Sequence, residues 1–335
     1  MLIGLTYDLR SDYLAQGYPA DLVAEFDSDE TIASLESTIQ SLGHRTDRIG
    51  NVRALCARLA AGGRWDMVFN IAEGLEGRCR EGQVPSVLEA WGLGYTFSDP
   101  LVCAATLDKA VAKKIVQSAG LATPGFHVVA GPADLAGVRL AYPLFAKPLA
   151  EGTSKGITDR SVAESPAALE EVCRFLLDRY RQPVLVEEFL PGREFTVGIL
   201  GTGPAACVLG IMEIVIRQPS EGPPSAAAVY TYDTKERCEL FVTYSRLGAC
   251  PLRTQIEDLA LKAYRVLECR DAARVDIRCD KLGQPSFLEV NPLPGLHPTH
   301  SDLPLIATQE GFGYTRLIGS IIHSAASRLG IPDEA

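Results

Sequence analysis

The stretch ARVDIRCDKLGQPSFLEVN, residues 273–291, reads as a β-hairpin, two runs of alternating side chains with Gly283 in the turn between them. In the first run Arg274, Asp276 and Arg278 alternate with Val275 and Ile277; in the second Phe287, Glu289 and Asn291 alternate with Leu288 and Val290. A turn closing symmetrically about Leu282 and Gly283 sets Asp276 opposite Glu289 and Arg274 opposite Asn291. Carboxylates facing each other across a ladder repel. A divalent cation between them resolves the conflict; a solvated strand face on which charges happen to meet is the plainer alternative.

Oxygen ligands without His or Cys favour magnesium or manganese over zinc, and magnesium held by one or two carboxylates completes its shell with water and nucleotide phosphate. The second strand runs into LEVNPLPGLHPTHSD, residues 288–302, a loop rich in Pro and Gly. His297 and His300 in that loop suit either a substrate contact or a structural role.

A phosphate partner is offered by LFAKPLAEGTSKGI, residues 144–157. Lys147 ends an apolar strand, and the backbone N–H groups and hydroxyls of a loop with Gly152, Thr153, Ser154 and Gly156 could wrap phosphate oxygens. Lys109, in the preceding helix region, is a second cation. Taken singly, each lysine also reads as a surface charge and the loop as a plain turn. The G-x-x-x-x-G-K-[ST] phosphate loop is absent, so any nucleotide is bound by another architecture.

Composition narrows the class. A chain of 335 residues, 47% hydrophobic and 22% charged, has enough apolar residues for a large core divided into two or three domains. The net charge of −10 and the lack of basic runs exclude a general nucleic-acid or membrane-surface binder and leave a small molecule as partner. MLIGLTYDLR reads as a first strand, with no leader pattern and no apolar run of spanning length, so a cytoplasmic location is expected. The nine cysteines are scattered without a C-x-x-C pair. They are expected to be reduced, small buried hydrophobes rather than a disulfide framework or zinc site.

Strand-like and helix-like patterns alternate along the chain, the pattern of an α/β protein. DSDETIASLESTIQSLGH predicts a helix capped by Asp27, Ser28 or Asp29, with Ile32, Leu35, Ile39 and Leu42 on one face and Gly43 at its end. WDMVFNIAEG predicts a short buried strand, and VPSVLEAWGLGYTFSD a helix followed by another strand. The units expected are a small parallel α/β domain over residues 1–103, a central unit over 104–190 and a C-terminal unit over 191–335 carrying the metal and acceptor sites.

TLDKAVAKK, FAKPLAEGTSKG, VLVEEFLPGREFTVGIL, ARVDIRCD and LEVNPLPGLHPTHSDLP occur in the order and at the spacing of the D-alanine–D-alanine ligase family of the ATP-grasp superfamily, which the chain resembles over most of its length. The resemblance implies a three-domain fold with ATP between the central and C-terminal α+β domains. It implies that Lys109 and Lys147 hold ATP phosphates, that Glu187, Glu188, Phe189 and Leu190 match the adenine-binding segment, and that Glu194 takes the ribose hydroxyls. Asp276, Glu289 and Asn291 match the ligands of two magnesium ions, for which manganese may substitute. Arg274 matches the arginine that stabilises the charged intermediate, the Gly295 N–H an oxyanion donor, and Ser301 the serine that receives the second substrate's carboxylate. Thr153 and Ser154 stand where the family has a pair of serines, and Lys235 matches a lysine of the family.

The activity implied is ATP-dependent joining of a carboxylate to an amine through an acyl phosphate, on D-alanine or, alternatively, on another amino acid or small peptide. The loop at 152–156 and the segment around TYDTKER are the expected lids, and a homodimer through the N-terminal domain is the family's habit. A nucleotide-binding protein without catalysis would have lost a metal ligand or Arg274, and neither is lost. Three departures surround the first-substrate pocket. LRSDYLAQGYPADLVAEFDSDE is longer than the family's first loop, leaving Glu30 as a stand-in for its glutamate. FNIAEGLEGRCREGQVPS replaces a His-Gly pair, and Glu236 follows Lys235 where a tyrosine is expected. The acceptor loop between Gly295 and His300 is also one residue longer than the family's.

Overall fold

Strand β1 (Leu2–Thr6) is flanked by β2 (Arg45–Gly50) and β3 (Met67–Asn70) in a parallel sheet of order β2-β1-β3. The computed structural model describes residues 1–216 and 242–332. Helix Asp29–Ser41 starts at Ser28, whose hydroxyl accepts from the Thr31 N–H, and buries Ile32, Leu35 and Ile39. Gly43 follows at a φ of 87°, where a side chain would be strained. The strand expected at the end of YTFSD is reduced to a single parallel bridge between Val68 and Tyr95. Asp99 and Pro100 account for this, because they start the helix Pro100–Leu107 directly afterwards. That helix spans residue 103.

A second sheet is antiparallel throughout and contains β4 (Phe126–Val129), β5 (Leu144–Pro148), β6 (Val162–Ala163) and β7 (Val184–Glu188), in the order β4-β7-β5-β6. Helix Pro166–Tyr180 covers one face through Leu169, Val172, Cys173 and Leu176. The third sheet contains β8 (Glu194–Leu200), β9 (Cys207–Ile216), β10 (Val242–Arg246), β11 (Ala272–Cys279) and β12 (Pro285–Asn291), in the order β10-β9-β8-β11-β12. Helices Lys109–Ser118 and Pro251–Val266 close its apolar face. The final helix, Tyr314–Leu329, returns to the first sheet and buries Leu317, Ile318 and Ile321 with Leu5, Leu35 and Ile39. Each such side chain contributes about 1.5–3 kcal/mol.

Among the described residues no cysteine is in a disulfide, and Cys103, Cys173, Cys269 and Cys279 are buried. Cys56, Cys79 and Cys207 are exposed, which corrects the expectation that all are core residues; Cys56 and Cys79 follow helix and loop surfaces rather than an apolar stripe. No described helix is long and apolar enough to cross a membrane.

Asp271, fully buried, fastens the first unit to the third sheet. Its carboxylate accepts from the Phe97 N–H at 2.8 Å, Thr202 Oγ1 at 3.0 Å, Ser324 Oγ at 2.9 Å and Arg328 at 2.8 Å. Replacing it by Ala strands four donors, and removing one member of a buried charged network costs about 3–5 kcal/mol. We expect Asp271→Ala to lower Tm by about 5 °C or more in thermal unfolding; an unchanged Tm would contradict this assignment.

Candidate active site

The hairpin is built as the sequence implies at its far end and differently near its turn. Arg274 pairs with Asn291, Val275 with Val290 and Asp276 with Glu289, but Ile277 pairs with Phe287, so Leu288 is an extra residue on β12. This β-bulge overturns strict alternation in the second strand. Phe287 lies in the core with Val290, whereas Leu288 and Glu289 both face the cleft between the two antiparallel sheets. The apolar demand of the core for Phe287 and the polar role of Glu289 cannot both be met at a spacing of two residues. The extra residue satisfies both.

Charges around the Asp276–Glu289 rung are paired closely. Arg274 donates to Asp276 through Nε and Nη2, at 3.1 and 2.9 Å, and through Nη1 to Asp302 at 2.9 Å. Thr196 Oγ1 donates to Asp276 at 3.0 Å, and Asn291 Nδ2 approaches it at 3.4 Å. Across the cleft Lys147 Nζ lies 3.3 Å from Glu289 and 3.2 Å from Glu187, and Lys109 Nζ 3.8 Å from Glu289. The Lys109 ammonium also donates to the Glu151 carbonyl at 2.5 Å. Burial opposes the charge of Glu289, but Lys109, Lys147 and Arg274 outweigh it and hold the carboxyl down at about 2. Asp276 is pushed up by burial, and Glu289 opposite adds to this while Arg274 resists it.

Sequence reasoning missed Lys113. It is fully buried in helix Lys109–Ser118, 2.8 Å from Glu187, and also donates to Thr123 Oγ1 at 3.0 Å. The signal was available: Lys109, Lys113 and Val116 share the helix face that carries buried Ala112. Glu187 is thus held between two lysines where it lines the cleft. Phe189, Leu190 and Glu194 line the cleft. Arg278 holds Glu194 at 3.0 Å and stacks over the Phe189 ring at 5.2 Å. Burial pushes Glu194 up, against the pull of Arg278.

Thr153 and Ser154 border the same cleft, both in the left-handed region with φ of 49° and 55°. For residues with a Cβ this is an uncommon conformation, found where a loop is held for a purpose. The loop is fastened from an unexpected direction. Glu25, from the long first insertion, accepts from the Gly152 N–H at 2.6 Å and lies 3.4 Å from Arg80 and 3.6 Å from Lys155. Glu30, by contrast, is an exposed residue of the first helical turn whose nearest charge partner is His297 at 3.8 Å, which removes it as the inward-facing glutamate.

On the acceptor side Gly295 approaches Ser301 so closely that a Cβ at position 295 would lie 2.8 Å from Ser301 Oγ. Ser301 Oγ accepts from the His297 N–H at 2.9 Å, and the His297 and His300 rings pack 4.6 Å apart. Arg274, Glu289, Asn291, Gly295 and Ser301 line a cavity of about 620 Å³ that continues from the cleft. Lys235, Glu236 and the rest of TYDTKER lie outside the described residues. No cluster of three or more His, Cys, Asp and Glu forms a metal site among the described residues. The oxygen set is the facing carboxylates and the Asn291 amide, which suits magnesium that keeps water and phosphate ligands.

Two antiparallel sheets closing on such a cleft, with lysines on one side and paired carboxylates on the other, define an ATP-grasp enzyme. Residues 115–323 match the family model "D-ala D-ala ligase C-terminus". The D-alanine–D-alanine ligase of Bordetella petrii is 34% identical over 82% of this chain and 80% of its own length, and that of Aquifex aeolicus 32% identical over 88% and 94%. The structure of D-alanine–D-alanine ligase from Bacillus anthracis complexed with ATP superposes with a TM-score of 0.74 at 21% identity, covering 98% of this chain and 97% of that one. The chain belongs to the D-alanine–D-alanine ligase family. It is an ATP-dependent ligase that forms carbon–nitrogen bonds.

Burial works against the ionised Glu187, but Lys113 and Lys147 lower its pKa below the ordinary 4.5. A depressed carboxyl pKa contributes stability above the unfolded value and loses it as pH falls through the folded one. Glu187→Gln is therefore expected to destabilise the protein by about 3 kcal/mol at pH 7. The gap from wild type should narrow as pH drops below 4.5 in urea titrations; a gap independent of pH would contradict the ion-pair account.

Proposed function

We propose that the chain couples two amino acids, with D-alanyl-D-alanine synthesis or the same reaction on a closely related amino acid or small peptide as its activity. The observation that carries the reading is the single cavity shared by Arg274, Glu289, Asn291, Gly295 and Ser301, open to the cleft with Lys109 and Lys147. A carboxylate resists attack by an amine because its leaving group would be oxide. In the proposed first step a carboxylate oxygen of the donor bonds to the γ-phosphorus of ATP and the bond to ADP breaks. In the second, the amine of the acceptor adds to the acyl carbon, and phosphate departs with the oxygen that bridged it. The amine loses a proton.

Lys109 and Lys147 hold the phosphate oxygens in this reading, and Thr153 and Ser154 cover them. Phe189 and Leu190 would border the nucleotide base, with Glu194 at the ribose. Arg274 and the Gly295 N–H face the oxyanion formed on amine attack, and Ser301 receives the acceptor's carboxylate. Asp276, Glu289 and Asn291 would hold magnesium, which would supply charge neutralisation at the phosphates. Water must be kept from the acyl phosphate. Glu25, which fastens the loop at Gly152, keeps that cover in place.

Purified protein with ATP and magnesium should release ADP in the presence of amino acids, with an amide product visible by mass spectrometry. Glu289→Gln should lower kcat/KM by about 10²-fold or more with unchanged circular dichroism, and Asp276→Asn should raise the magnesium needed for half-maximal rate. Near-normal turnover in Glu289→Gln, or an unchanged magnesium titration in Asp276→Asn, would contradict the ligand assignment.

A further inference from the structure

Lys113 is a cation that no step above uses. Its side chain is fully buried, whereas Glu187, Lys147 and Glu289 line the nucleotide cleft. Three acceptors surround its Nζ: Glu187 Oε2 at 2.8 Å, Thr123 Oγ1 at 3.0 Å and the Phe287 carbonyl at 3.5 Å. That is the number the three N–H bonds of an ammonium satisfy. Thr123 Oγ1 in turn donates to the Phe287 carbonyl at 2.8 Å, and the Phe287 N–H donates to the Ala122 carbonyl at 2.8 Å. The ammonium is therefore fixed to β12 at the residue preceding the bulged Leu288.

Glu187 offers one oxygen to each lysine. Oε2 faces Lys113, and Oε1 faces Lys147 at 3.2 Å. Lys147 Nζ is shared almost equally between that oxygen and Glu289 Oε2, which lies 3.3 Å away. A buried carboxylate stripped of one of its cations carries uncompensated charge. Without Lys113, Oε2 would lose its counter-charge, and Lys147 is the cation already in contact with the same group. Lys147 would be drawn onto both oxygens of Glu187 and away from Glu289.

We propose that Lys113 is a positioning residue for the nucleotide: by engaging Glu187 from the buried side, it keeps Lys147 between Glu187 and Glu289, where its ammonium meets the phosphates. Lys113 touches no substrate and acts through Glu187 alone. This rests on the reading above that Lys147 holds phosphate oxygens. An ion pair that served stability alone would leave nucleotide binding by the folded protein unchanged.

The test is calorimetric binding of ATP, ADP and adenosine, with magnesium, to the intact protein and its variants. Lys113→Met should weaken ATP and ADP by about tenfold or more relative to adenosine. Lys113→Gln, which keeps a donor for Thr123 without the charge, should show the same selective loss. In Lys113→Met/Glu187→Gln, which removes the pair together, the ratio of ATP to adenosine affinity should return toward that of the wild type. Lys147→Met serves as the control and should itself lose phosphate-dependent affinity. A ratio unchanged in both Lys113 variants while Lys147→Met loses it would overturn the proposal and leave the reading of Lys147 intact. An equal loss for adenosine would overturn it by placing the effect at the base. A double variant as impaired as Lys113→Met would overturn it by removing Glu187 as the intermediary. No loss in Lys147→Met would overturn both.

Discussion

Asp276 and Glu289 face each other across one rung of a β-ladder, and the rest of the cleft is arranged around the cost of that juxtaposition. Arg274 neutralises one carboxylate and Lys109 with Lys147 the other. Two of these cations are then committed to a second carboxylate, Arg274 to Asp302 and Lys147 to Glu187, which also holds Lys113, while Lys109 donates to the Glu151 carbonyl. The charges form a continuous chain from β12 through β5 and β7 to the helix Lys109–Ser118, across the gap between the two sheets. Such a chain is worth little as a stabilising device compared with apolar packing. It fixes these cations and anions at set separations across the cleft.

Much of this was legible in the residues. The alternation Arg274, Asp276, Arg278 on a short strand set the direction of each charge, and the opposition of Asp276 to Glu289 followed from the hairpin. Leu288 was not legible, because a bulge is decided by competition between core packing of Phe287 and cleft exposure of Glu289, which pattern alone cannot weigh. The role of Glu25 was hidden for a different reason. It sits in an irregular insertion, and its partners Arg80, Gly152 and Lys155 are distant in sequence and adjacent only after folding. Glu30 looked equivalent by position, but Ser28 caps the following helix and leaves Glu30 on its exposed first turn. Lys113 carried a signal that went unused, a lysine in register with the buried face of its own helix.

The end with the paired carboxylates and lysines keeps the residue types of the D-alanine–D-alanine ligase family. Asp27, Glu73 and Glu81, from the first insertion and the segment after β3, line the same cavity. Glu25 and Glu151 balance Arg80 and Lys155 where the first insertion meets the loop at Gly152.

The central claim is that a carboxylate oxygen of the donor bonds to the γ-phosphorus. The most direct test is turnover with a donor labelled with ¹⁸O in its carboxylate, followed by mass analysis of the inorganic phosphate. Transfer of one labelled oxygen to phosphate in each turnover is the result this account requires. Phosphate free of label, with ADP and amide still formed, would contradict it and place bond formation by another route.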